Sequence, residues 1–209
     1  MSKSNLYIKE ACVESLEQAI SAEKNGADRI ELCSHLELDG LTPSEELVGL
    51  VQEKLTIPIK VMIRPRAGDF IYSEEEIRKM IKSIEFCKSL EMEGVVFGAL
   101  HEDKTLDLNL ISKLAKIAKP LKVTIHKAID ETEDILKAVK DLSHIAEIDT
   151  ILTSGGANTA EEGAFQIKQM IGISQNRLEI MPAGKITPAN LKELHKIIGA
   201  KAYHGRRIV

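Results

Sequence analysis

Glu31, Cys33 and His35 alternate in the segment ELCSH, so in an extended strand Glu31 and Cys33 project from one face. A thiolate in that position is a ligand for a soft metal such as Cu(I), and Cys12 supplies a second sulfur near the end of the preceding β-rich run. The plainer reading of either cysteine is a small buried thiol. Cys87 falls on the inner face of an amphipathic stretch and reads as core. Three scattered cysteines without a CxxC pair exclude a zinc finger and a disulfide framework, and fit a reducing compartment.

A second set of residues suits anions. Arg64 and Arg66, followed by Gly68 and Asp69, offer two guanidinium forks to a carboxylate or phosphate. The plainer reading is pairing with Glu31 or Asp69. Thr153-Ser154-Gly155-Gly156 is either a tight turn or a run of backbone N–H groups facing an anion, and Gly184-Lys185 follows the next strand. His126, with Lys127 and Asp130 close behind, is a general acid–base group, a metal ligand or a hydrogen-bonded structural histidine. The resulting candidates are Glu31, His126, Asp69 and Asp130 for proton transfer, and Cys12 and Cys33 for metal. Arg64, Arg66, Ser154, Gly155, Gly156, Gly184, Lys185 and His204 are the candidates for an anion. His101 reads as one more side chain at the same end, whereas His144 and His195 receive no role.

These candidates share a position in the pattern: nearly all follow a short β-rich run. Such runs lie near Leu6–Ile8 and at 28–32, 59–63, 94–100, 121–126, 149–154, 177–182 and 200–204. Helical periodicity fills intervals between them. One helix precedes Asn25-Gly26, where Val13, Leu16, Ala19, Ile20 and Ala22 share a side. Another spans 74–90, with Ser73 and Glu76 forming a capping box. Further helices fall near 107–118, 131–143, 159–172 and 188–198, the last capped by Thr187. Continuous apolar strands are those of a parallel sheet, and eight strands alternating with helices predict a (β/α)8 TIM-type barrel, an α/β fold, as a single domain over 1–209. In that fold the C-terminal strand ends build the site, which is where the polar residues cluster. An open doubly wound sheet is the alternative, but its Gly-rich fingerprint is missing after the first strand. The chain ends at Val209, five residues after His204, so the predicted barrel lacks its last helix, and the apolar stripe left bare predicts a homo-oligomer.

Composition narrows the partners. The net charge of -4 and 3% aromatics without Trp disfavour nucleic acid as a partner. No apolar run long enough for a membrane span and no signal-peptide pattern occur, so the expected location is the cytoplasm.

The segments ELCSHLELDGLTPS, VMIRPRAGDFIYS, TIHKAID, ILTSGGA, IMPAGKI and YHGRR resemble, in order and over nearly the whole chain, the signature blocks of the CutC family. The resemblance implies a (β/α)8 barrel, a cytoplasmic location, oligomerisation and a role in copper tolerance and copper binding. It carries a site onto Glu31, Cys33, Arg64, Arg66, Asp69, His126, Asp130, Ser154, Gly155, Gly156, Gly184 and His204. Where the family usually has a Gly-rich turn after the proline, this chain has Ala183-Gly184-Lys185. Three readings follow: a copper-binding homeostasis protein, an enzyme using acid–base chemistry on a small phosphorylated or carboxylated metabolite, and a scaffold that contacts partners through its bare edge. The expected partners are thus a copper ion or a small-molecule anion.

Overall fold

Period-2 patterning in the strands decides which side chains enter a barrel and which face its helices. The structure, a computed structural model, describes residues 6–209. Its strands are β1 (Ile8–Val13), β2 (Arg29–Leu32), β3 (Ile59–Met62), β4 (Gly94–Phe97), β5 (Lys122–Ile125), β6 (Thr150–Thr153), β7 (Glu179–Pro182) and β8 (Ala202–Gly205). The helices between them are α1 (Leu16–Lys24), α2 (Glu45–Lys54), α3 (Glu74–Ser89), α4 (Leu108–Ala118), α5 (Ile135–Ser143), α6 (Ala164–Ser174) and α7 (Leu191–Ile198). All strand pairs are parallel, in the order β7-β6-β5-β4-β3-β2-β1-β8, and β7 lies beside β8 to complete a nearly closed barrel. Among the described residues no helix follows β8. The described residues form a (β/α)8 barrel with seven α-helices.

One alternate set of strand residues, including Ala11, Ile30, Val61, Val95, Val123, Ile151 and Ile180, joins the helices in the main core. The other set forms separate small clusters: Cys12, Cys33, Leu36, Met62 and Val96 in one, and Leu152, Met181, Ala183 and Ala202 in another. The register sets Cys12 opposite Glu31, Glu31 opposite Lys60, and Glu10 opposite both Arg29 and His204. The interior is therefore more polar than continuous apolar runs imply, because Glu10, Lys60, Thr124 and Thr150 occupy it as well.

The helices bury the faces their periodicity selects. On α4, Leu110, Ile111, Leu114, Ala115 and Ala118 are buried, each large apolar side chain contributing about 1.5–3 kcal/mol. Ser73 and Glu76 form the expected capping box at the start of α3, at 3.3 and 2.7 Å. Other starts differ from the periodicity. Val13 ends β1, and α1 begins at Leu16 behind the cap Ser15. A 3-10 turn occupies Lys127–Glu131, so α5 starts only after Asp134. α6 starts at Ala164 because the backbone before it is used in turns. Thr187 does not cap α7; its N–H donates to the Asn190 side chain at 2.8 Å, and the helix begins at Leu191.

Candidate functional site

The C-terminal strand ends surround an open cavity of about 900 Å3. Of the residues predicted for the site, Cys12, Glu31, Arg64, His126, Asp130, Ser154, Gly156, Gly184, Lys185 and His204 line it. Cys33 sits just behind Cys12. Arg66 and Asp69 lie outside: Arg66 donates to Asp69 at 2.7 Å, to Glu76 at 2.6 Å and to the Ile71 carbonyl at 2.6 Å, and so folds its own loop. His101 is also off the cavity, 3.8 Å from Asp107. His35 takes a left-handed backbone (φ 49°), and its ring nitrogen Nδ1 lies 3.0 Å from Glu37.

The two cysteines meet because β1 and β2 are neighbours in register. Cys12 Sγ and Cys33 Sγ are 3.8 Å apart, and Glu31 Oε2 lies 3.3 Å from the first and 3.5 Å from the second. His204 on β8 completes the group, with Nε2 3.6 Å from that oxygen and Nδ1 2.9 Å from Glu10. All five side chains are buried. The Cys33 contact and then the His204 charge, working against burial, hold the Cys12 thiol well below its usual range. The same sulfur contact, with burial and Glu31, pushes Cys33 well above it. Burial is the main cause that raises Glu31 to about 8. Burial would pull His204 down, but Glu31, Cys12 and Glu10 outweigh it and raise it well above the ordinary value. The group thus sets a thiol lowered toward ionisation beside one raised away from it, with a histidine whose charged form is favoured.

Beneath it runs an ion network that the sequence reading did not single out. Glu10 accepts from Arg29 at 2.5 Å and lies 3.6 Å from the Lys60 ammonium, which donates to Thr124 at 2.8 Å. Arg29 also meets Glu179 at 2.7 Å. Burial opposes ionisation of Glu10, but Lys60, His204 and Arg29 hold its pKa far below the carboxylate range. A charge at every second strand position was the available signal: Glu10, Arg29, Glu31, Lys60 and Glu179 all sit on the inward set.

The Ser154-Gly155-Gly156 turn is present, but its donors already hold an anion. Asp130 accepts from Thr153 Oγ1, from Ser154 N at 2.8 Å, from Ser154 Oγ at 2.9 Å and from Gly156 N at 3.1 Å. Gly155 is glycine for space as well as for its φ of 70°, since a Cβ would come 2.6 Å from the Gly163 carbonyl. Lys185 stands at φ 56°, the left-handed region that suits glycine, and still lines the cavity. Arg64 is buried and clamps two loops, donating to the Leu38, Gly40 and Gly68 carbonyls at 2.9, 3.3 and 2.8 Å.

This barrel and its sequence match known proteins. A model of the CutC family matches residues 7–209. The chain belongs to the CutC family. A human protein named copper homeostasis protein cutC homolog is 42% identical over 200 residues, covering 96% of this chain and 73% of that protein. A solved structure of a CutC protein from Streptococcus agalactiae has a TM-score of 0.92 at 31% identity, covering 97% of this chain and 100% of that one. A dihydrodipicolinate synthase from Cyanidioschyzon merolae shares the fold alone, with a TM-score of 0.66 at 13% identity over 98% of this chain and 71% of that one. The mouse relative, also 42% identical over 200 residues, carries the same copper homeostasis name. Among the described residues no helix is long and apolar enough to cross a membrane.

Proposed function

We propose that this chain takes up one Cu(I) ion as cargo between Cys12 and Cys33. The observation that carries the reading is the sulfur–sulfur distance of 3.8 Å, with Glu31 Oε2 within 3.5 Å of both sulfurs. That spacing is far beyond the roughly 2.05 Å of a disulfide. It suits one ion about 2.3 Å from each sulfur, the ordinary metal–thiolate length. The donor set is soft, and Met62 lies in the same cluster, which favours Cu(I) over Mg(II) or Ca(II).

The residues around the sulfurs manage charge and protons. The Cys33 contact and then His204 lower the Cys12 thiol in the absence of metal. Cys33 must lose its proton on uptake, and its thiol faces Glu31, which opens on the cavity. Uptake therefore releases a proton, and affinity rises with pH. Free thiols need reducing surroundings, which supports the expected cytoplasmic location. Leu6, Ile8 and Ile197 stay exposed. These apolar side chains support self-association, which sedimentation velocity checks.

The test is a competition titration against a colorimetric Cu(I) chelator under reducing conditions. One equivalent binds to wild type; Cys12→Ser and Cys33→Ser each weaken binding at least a hundredfold, and Cys87→Ser changes nothing. Equal affinity in all four proteins would overturn the reading.

A further inference from the structure

Two hydrogen-bond donors in the wall of the mouth cavity have no partner. Arg64 spends both terminal nitrogens on carbonyls, yet its Nε–H is buried and unpaired. His126 provides the second. The Ala128 backbone N–H donates to Nδ1 at 3.2 Å, so that nitrogen keeps its lone pair and the ring proton sits on Nε2. His126 Nε2 is likewise buried and unpaired. Burial first, and then the Arg64 charge, push the pKa of the ring down to about 3, so it stays neutral near pH 7.

The fold builds this arrangement rather than tolerating it. Both side chains rest on Phe70, with the guanidinium carbon 4.8 Å and the imidazole centroid 4.8 Å from its ring centre. Gly98 makes room for the imidazole: a Cβ there would fall 2.8 Å from both Cε1 and Nδ1. Buried donors in native proteins are nearly always satisfied, so two orphans in one wall call for an external acceptor. The rim supplies long-range attraction through Lys185 and Arg207, while Lys127 lies 3.9 Å from Asp130 and Arg206 3.7 Å from Asp39. Asp130, the nearest carboxylate of the turn, is already saturated by its own donors.

We propose that the mouth cavity binds a small organic oxyanion, one oxygen of which accepts from His126 Nε2–H and Arg64 Nε–H. Carboxylates and phosphate monoesters share that acceptor chemistry, and the cavity has the size of a metabolite site. Its donors are different side chains from the thiols that share the cavity, and it does not rest on the copper reading. Of the sequence's anion candidates it keeps Arg64, and it places the anion on the floor between β3 and β5 rather than at the glycine turn.

Calorimetric titration with oxalate, malonate, glycerol phosphate and inorganic phosphate tests it and separates the two sources. At least one probe binds wild type. His126→Phe weakens it at least tenfold, His126→Gln recovers part of the loss through its amide N–H, and Cu(I) affinity is unchanged in both. No binding of any probe to wild type, or equal binding by His126→Phe, overturns the proposal. Nitrogen NMR of histidine-labelled wild-type protein adds a check that needs no variant. It shows the Nε2–H tautomer throughout pH 5–8; an Nδ1–H tautomer, or titration near 6.5, overturns the proposal.

Discussion

Replacing Asp130 by alanine tests whether the turn after β6 is held from within. Four donors converge on this carboxylate, but they do not lose equally when it goes. The Ser154 hydroxyl has a second acceptor in the Ala157 carbonyl at 2.6 Å, and the Gly156 N–H is open to water. The donors left worst off are the Ser154 N–H and the Thr153 hydroxyl, whose remaining acceptor is the Met170 sulfur at 3.9 Å, both on residues with 0% exposure. Each stranded donor costs about 1–3 kcal/mol, so Asp130→Ala should lose about 2–6 kcal/mol. For a chain of this size that lowers Tm by about 4–24 °C. Asp130→Asn should fall between, because one oxygen remains while its NH2 confronts a donor. Urea and thermal melts of the three proteins supply the assay. A loss under about 1 kcal/mol in the alanine variant would refute the claim that this carboxylate, rather than an outside anion, fills the turn.

Glu10→Gln removes the charge that Lys60 and Arg29 share at 3.6 and 2.5 Å, leaving cations buried in the barrel. The expected cost is about 3–5 kcal/mol by chemical denaturation, and a loss below 1 kcal/mol would contradict the network. His126 is neutral in the fold with a pKa of about 3, against 6.5 for the free side chain. Its folded pKa is depressed, so its contribution is complete above 6.5 and fades as pH falls toward 3. Between pH 7 and pH 5 wild type should therefore lose about 2 kcal/mol more than His126→Gln; parallel pH profiles would refute this. Gly163→Ala places a Cβ 1.9 Å from the Ser154 carbonyl. It should destabilise by at least about 1–3 kcal/mol through overpacking, and a neutral melt would contradict the close approach of α6 to the end of β6.

Much of this architecture is legible in the residues. β-rich runs alternating with amphipathic stretches give the barrel, and the polar ends of those runs give its mouth. α2 carries the same signals, with Ser44 as its cap and Val48 and Val51 on its buried face. The interior charges were legible only as period-2 alternation, which the apolar neighbours Ile59, Val61 and Ile63 mask around Lys60. Cys12 and Cys33 are far apart along the chain, and only the β1–β2 register brings them together. Arg66 and Arg64 are two residues apart on what reads as one strand end, yet β3 stops at Met62 and the loop sends Arg66 outward. No local pattern predicts that Asp130 fills the glycine turn, since its partners lie 23 to 26 residues away.

X-ray absorption on the protein loaded with one equivalent of Cu(I) tests the central claim most directly. Two sulfur neighbours at about 2.3 Å are predicted, falling to one in Cys33→Ser. A spectrum with only nitrogen or oxygen neighbours, or one unchanged by Cys33→Ser, would contradict a copper site between Cys12 and Cys33.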